Sequence, residues 1–228
     1  MQSCPNCSKV FDGNYCTNCG QKYLITPYSF RNVLLWLTDV FDFNRGFFIT
    51  LYHLVVKPSY VVSTYLRGNT KVYVSPFKYF LLVLTILILV GSLSSGSLGL
   101  EPSEEYQTYF AFFLFVIFFW LVNLLFFRNY GFNPVESLLT VIYESTEFIL
   151  LIPLCLIISR IFFETGLVTE KAKNLLLVFT YGTLILVYHL WFTINIFKGN
   201  NFIVFLKALL TFFLAFTLLG FIAAQLGQ

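Results

Sequence analysis

Tyr79–Leu100 reads YFLLVLTILILVGSLSSGSLGL, 22 residues without a charge. A bilayer core about 30 Å thick needs about 20 apolar helical residues to cross it, so this run alone predicts a membrane span. Ser75 and Pro76 just before it supply a cap and a first helical residue. Toward the C-terminus, Tyr106–Phe127 is a second uncharged run of 22 residues, Asn174–Phe197 gives 24, and Ala208–Gln228 gives 21, extended backwards through Phe202. Phe148–Ser159 offers only 12 apolar residues between Glu147 and Arg160, so a third span there must include a charged end. Five transmembrane helices are expected.

Composition agrees with that reading. Of 228 residues, 58% are hydrophobic, 20% aromatic and 11% charged, whereas a soluble domain carries about 25% charged residues. A soluble globule is excluded, and a net charge of +3 is too small to point to nucleic acid. The first 22 residues hold four cysteines and no apolar run of the signal-peptide kind; the chain is expected to begin as a folded head. The expected fold class is therefore an all-α integral membrane protein in three parts: a zinc ribbon over 1–24, interfacial amphipathic helices over 25–76, and a bundle of five transmembrane helices over 77–228.

The head carries Cys4-Pro5-Asn6-Cys7 and Cys16-Thr17-Asn18-Cys19. Each C-x2-C turn aims two thiolates at one point, and two such turns supply the four soft ligands of a closed tetrahedral zinc site. Val10, Phe11 and Tyr15 are the only large apolar side chains between Cys4 and Gln21, so metal binding has to provide the folding free energy there. The competing readings are two disulfides or a redox pair, but a redox C-x2-C usually accompanies a βαβ unit, which is absent here. Four cysteine ligands leave no open position, so the zinc is structural. Thiolate ligands persist in reducing compartments, which places the N-terminus in the cytoplasm. Cys155 stands alone in an apolar run and is expected to be an inert packed thiol.

Residues 28–76 mix aromatic, apolar and basic residues. Phe30, Val33, Leu34, Leu37 and Phe41 fall at helical spacing over Phe30–Phe43. Phe47–Val56 repeats the mixture, and Pro58–Leu66 is a third segment closed by Gly68. None is long enough to span, and all suit the interface plane. Arg31, Arg45, Lys57, Arg67 and Lys71 lie here and Lys78 just beyond, either attracting anionic headgroups or marking the cytoplasmic side. His53, among apolar neighbours, reads as a packing or interfacial residue.

Eight basic residues precede the first span, and Glu101, Glu104 and Glu105 follow it with no base between. With the N-terminus inside and the C-terminus outside, Arg128 and Lys198 are also cytoplasmic, leaving Arg160, Lys171 and Lys173 outward. That is the positive-inside pattern.

Glu136, Thr140, Tyr143, Glu144 and Glu147 share one helical face. If their helix enters near Val135, Glu144 lies about 13 Å in, and His189, eight residues before Phe197, about 12 Å in. Glu144 or Glu147 then meets His189, with Asn123 and Asn195 extending the network. If the helix spans Glu144–Phe163 instead, the glutamates are a solvated face. Intramembrane ionisable residues are functional candidates; a di-metal carboxylate site is disfavoured because Glu-x-x-Glu replaces the Glu-x-x-His expected there. No nucleotide-binding, serine-hydrolase or zinc-protease motif occurs, and there is no internal repeat of the kind many transporters carry.

The run Cys4–Gln21, with Phe47–Leu54, Lys57-Pro58, Tyr65-Leu66-x-Gly68 and Tyr73-x-x-Pro76-Phe77, resembles a family of bacterial inner-membrane proteins, the domain of unknown function numbered 3667. The resemblance implies an N-terminal C-x2-C pair, a multi-helix membrane body and no known catalytic residues. The expectation is a non-enzymatic protein of the bacterial cytoplasmic membrane, acting in interaction, scaffolding or assembly. Its partners are the lipid bilayer, a protein held through the ribbon, and other copies if it oligomerises. The alternative is a component that transports a small solute, ion or lipid through the Glu/His cluster.

Overall fold

The computed structural model describes residues 2–23, 46–93, 102–164 and 170–226. The expected helix over Phe30–Phe43 lies outside the described residues. The head is a minimal hairpin: β1 (Gln2–Ser3) pairs antiparallel with β2 (Val10–Phe11), and an isolated bridge joins Tyr15 to Lys22. Helices α1 (Gly46–Val56), α2 (Pro58–Leu66), α3 (Pro76–Leu93), α4 (Pro102–Phe127), α5 (Pro134–Glu164), α6 (Glu170–Ile196) and α7 (Asn201–Leu226) follow. A single 3₁₀ turn, Arg128–Tyr130, links α4 toward α5.

Four of these helices are long and apolar enough to cross a membrane, over Phe112–Tyr130, Pro134–Cys155, Leu175–Ile196 and Asn201–Phe221. The α3 helix contributes a shorter apolar stretch, Pro76–Leu87, among the described residues. The acidic loop expected after it is largely helix. Because α4 starts at Pro102, Glu104 and Glu105 fall in its first turn. Proline at a first helical position is preorganised.

The entry point of α5 decides where its carboxylates lie. Asn133 and Glu136 close a capping box: the Glu136 N–H donates to Asn133 Oδ1 at 2.9 Å, and the Asn133 N–H donates to Glu136 Oε2 at 2.9 Å. Two orphan amides at the helix start are satisfied reciprocally, so α5 begins at Pro134 and Glu144 falls more than two turns in. The helix packs against α3, α4, α6 and α1, and 67% of its candidate span is buried. It is the central helix of the bundle.

The shoulder helices form a packed layer at one end of the bundle. Leu54, Val61, Val62 and Tyr65 are buried in the same core as Tyr79, Leu139 and Phe192. The Trp191 indole N–H donates to the Val55 carbonyl at 3.1 Å. Gly46 permits a close approach here, since a Cβ on it would meet the Val72 carbonyl oxygen at 3.0 Å. Thr50 Oγ1, which donates to the Gly46 carbonyl, accepts the Val74 N–H at 3.0 Å. The other face of α1 leaves Phe48, Ile49, Tyr52, Val55 and Val56 exposed, as a helix lying in an apolar interface would.

Lys207, which the charge pattern of the sequence did not single out, lies inside α7. Its ammonium donates to the Phe126 carbonyl at 2.9 Å and lies 5.0 Å from the Tyr130 ring centroid. A cation at the end of α4 satisfies a terminal carbonyl and suits the helix dipole there.

Candidate functional site

The first site is built from one turn used twice. The Cys4 N–H donates to the Lys9 carbonyl at 3.0 Å, and the Ser8 N–H to the Cys4 carbonyl at 2.9 Å. In the second knuckle the Cys16 N–H donates to the Gln21 carbonyl, and the Gly20 N–H to the Cys16 carbonyl, both at 2.8 Å. Ser8 and Gly20 occupy equivalent places, with φ of 59° and 65°. The two turns bring the Sγ atoms of Cys4, Cys7, Cys16 and Cys19 within 4.8 Å of one another. All four are free thiols, with Cys4 and Cys16 buried. Removal from water pushes Cys4 up to about 11. The backbone N–H of Lys9, then the Asn18 side chain, pull Cys7 down to about 6, so the knuckle's own amides favour the thiolate. This group of four sulfurs can hold a metal ion.

The ribbon is fastened to the body next to this site. Gln21, 1% exposed, donates through Nε2 to the Gly68 carbonyl at 2.9 Å and to Thr70 Oγ1 at 3.1 Å. Lys71 Nζ donates to the Cys19 carbonyl. The α2–α3 loop can receive these contacts because Gly68, at φ 90°, reverses the chain just past α2 and turns its carbonyl toward the ribbon.

The second site lies within the bundle, where α5 faces α6, α7 and α3. Glu144 Oε1 is 2.6 Å from His189 Nδ1, and the two residues are 2% and 0% exposed. His189 Nε2 lies 3.0 Å from the Ala208 carbonyl and 3.0 Å from Thr211 Oγ1. A carbonyl has no proton to give, so Nε2 carries one and donates it. The Thr211 hydroxyl donates to the same carbonyl at 2.9 Å, leaving a lone pair toward the imidazole. One proton is then shared between Nδ1 and Glu144. The pair is neutral overall whether that proton sits on nitrogen or on oxygen, which is how two ionisable groups are accommodated in an apolar bundle. Phe119 and Phe212 pack against the imidazole ring.

Glu147 does not join His189. It accepts from the Tyr79 hydroxyl at 2.7 Å, a partner on α3 that the sequence presented only as the first residue of an uncharged run. Nearby, the Tyr143 hydroxyl donates to the Val74 carbonyl at 2.6 Å. The expected extension through Asn123 and Asn195 is replaced by local bonds. The Asn123 amide donates to Phe119 O at 2.9 Å and the Asn195 amide to Trp191 O at 2.8 Å, each on its own helix. A short amide on a helix reaches the carbonyl four residues back more readily than a neighbouring helix. His53 also has a polar partner: its Nδ1 lies 2.8 Å from the Tyr73 hydroxyl.

Neither the curated proteins nor the solved structures compared with the chain give a match. Residues 44–88 match the family model described as "Protein of unknown function (DUF3667)", a segment that holds α1, α2, the loop receiving Gln21, and the first part of α3; over it the chain is similar to an uncharacterised family.

Proposed function

We propose that this chain is a non-enzymatic protein of the bacterial cytoplasmic membrane whose zinc ribbon serves as a fixed interaction or assembly module. The segments are a ribbon over 1–24, an interfacial collar over 25–76 and five spans over 77–228, with α3 as the first. One observation carries the reading. The ribbon is latched by buried Gln21 to the juxtamembrane loop, while Val10 and Tyr15 remain 57% and 59% exposed on it. Apolar side chains held rigidly in water are what a protein partner packs against.

The sulfur geometry fits zinc. Cys4 and Cys19 Sγ are 3.5 Å apart, and Cys7 and Cys16 Sγ 3.6 Å; a tetrahedron with Zn–S bonds of about 2.3 Å has edges of about 3.8 Å. Cys4, Cys7, Cys16 and Cys19 would hold the ion, which supplies folding energy and no open position for chemistry. Orientation follows from the excess of basic residues before α3, with the N-terminus inside and the C-terminus outside. An exported-reporter fusion at Gln228 should be active and a cytoplasmic one silent; the reverse means an even number of spans. Capture of a defined partner by wild type, lost on Val10→Ser/Tyr15→Ser with one zinc per chain retained, tests the module. Equal capture by both chains removes the ribbon from that role.

Transport remains a second reading because Glu144, Glu147 and His189 are all buried within the bundle. Proteoliposomes should show a solute or proton flux that Glu144→Gln reduces at least tenfold. If candidate fluxes are at background for wild type, or unchanged in the variant, the cluster is a staple between helices.

A further inference from the structure

A cleft of about 320 Å³ opens between α2, the turn after α4, the start of α5 and the end of α6. Its residues fix its depth. Tyr130 closes one candidate span, Glu136 lies in the first turn of the next, and Lys198 follows the end of a third at Ile196. Three span ends meeting at one cavity place it at the level where hydrocarbon gives way to headgroups.

Its chemistry is that of an anion site with an apolar side. Arg67 and Lys198 line it together with the hydroxyls of Ser59 and Ser63, and Leu66 and Phe132 supply apolar wall. Glu136 is the acid in the lining, and its Oε2 already accepts the Asn133 N–H. Arg67 and Lys198 are exposed, and neither is in a salt bridge among the described residues. Two exposed cations in the lining of one cleft match a phosphate, which a guanidinium engages through two parallel N–H groups. The apolar wall suits the glycerol and first methylenes of an amphiphile better than a free ion.

We propose that this cleft binds the phosphate of an anionic phospholipid headgroup, one lipid per chain. The site rests on the spanning reading and not on the ribbon's role. Because Arg67 directly precedes Gly68, whose carbonyl holds Gln21, a bound headgroup sits one residue from the ribbon latch.

The test uses the full chain, purified in detergent, delipidated and titrated with phosphatidylglycerol under native mass spectrometry. Wild type should take up one lipid in preference to diacylglycerol with the same acyl chains, which lacks the phosphate. Arg67→Ala/Lys198→Ala should weaken that uptake on the order of 25-fold with the thermal midpoint unchanged. Lys57→Ala, which removes an exposed cation from outside the cleft lining, should leave it as it was. Uptake by the double variant equal to wild type overturns the site. So does an equal loss in Lys57→Ala, which would mean diffuse attraction, or displacement of the lipid by inorganic phosphate at matching concentration, which would make a free anion the ligand. A chain that needs no detergent to stay in solution would instead refute the spanning reading, and that failure is seen before any lipid is added.

Discussion

The ribbon and the bundle solve the same problem with opposite means. In the ribbon, Phe11 with Cys4 and Cys16 is nearly all that is buried, and two short strands and a bridge make up its regular structure. The bundle buries Phe115, Phe119, Phe148 and Phe212 in one cluster and Tyr65, Tyr79, Tyr143 and Phe192 in another. Water drives apolar burial in the first region, but the segment is too small to exploit it. Lipid removes that drive in the second, leaving close packing and hydrogen bonds between helices to specify the arrangement. Polar atoms therefore have different tasks: in the ribbon they gather four sulfurs, and in the bundle they join helices in pairs.

The largest effect should come from removing two of the four clustered thiols in the ribbon. Cys4→Ser/Cys7→Ser is expected to abolish zinc binding, and with it folding free energy of about 10 kcal/mol or more. Elemental analysis should fall from one zinc per chain to none, and protease should cut within residues 2–23. The bundle's thermal midpoint should stay within a few degrees. A bundle that melts with the ribbon would show that the two regions fold as one unit.

Next in size is the buried pair. Glu144→Ala leaves the His189 imidazole facing an apolar gap, at a cost of about 3 kcal/mol. Glu144→Gln, which keeps a hydrogen-bonding group there, should cost about 1 kcal/mol. Unfolding in detergent or bicelles measures both. Equal losses would mean that the carboxyl and its shared proton matter at this position and that the volume Gln retains does not.

The same comparison explains what the sequence disclosed. Cys4, Cys7, Cys16 and Cys19 are close along the chain, so their spacing alone predicts a cluster. Glu144 and His189 are 45 residues apart, yet a fixed rise per residue on two helices puts them level, and the structure has them in contact. The Tyr79–Glu147 bond was not legible, because a tyrosine opening an apolar run carries no sign of which helix it will face. Gln21 was not legible either. Its partners Gly68 and Thr70 are 47 and 49 residues away across a segment whose path no local pattern specifies. Asn123 and Asn195 misled for a related reason: helical position shows where a side chain starts, while a short amide turns to the nearest carbonyl.

Gln21 is where the two regions meet, and its loss should be intermediate. Gln21→Ala removes two hydrogen bonds from a buried seam, about 1–2 kcal/mol. The ribbon should keep its zinc while loop 67–72 becomes accessible to hydrogen exchange. Loss of zinc in this variant would mean that docking on the bundle holds the knuckle together, reversing the proposed order of dependence.

The smallest effect lies in the difference between the two knuckles. Their backbone bonds correspond one for one, yet the left-handed position is Ser8 in the first and Gly20 in the second. An L-residue in that region costs about 1–2 kcal/mol, while glycine's freer unfolded chain gives back about 0.4–1 kcal/mol of the gain. Ser8→Gly should therefore stabilise the ribbon by about 0.5 kcal/mol, read as a roughly twofold tighter zinc affinity in chelator competition. Gly20→Ala should run the other way. It acquires the same backbone strain, and its Cβ would meet Lys71 Nζ at 3.0 Å, although that flexible side chain can move aside. The expected loss is about 1 kcal/mol, roughly fivefold in zinc affinity, with some loosening of the Lys71–Cys19 contact. The opposite signs are the informative result: they follow if both knuckles depend on the same left-handed turn to present their sulfurs. Matching signs, or no change in either variant, would mean that the turns are shaped by their surroundings and not by a shared metal.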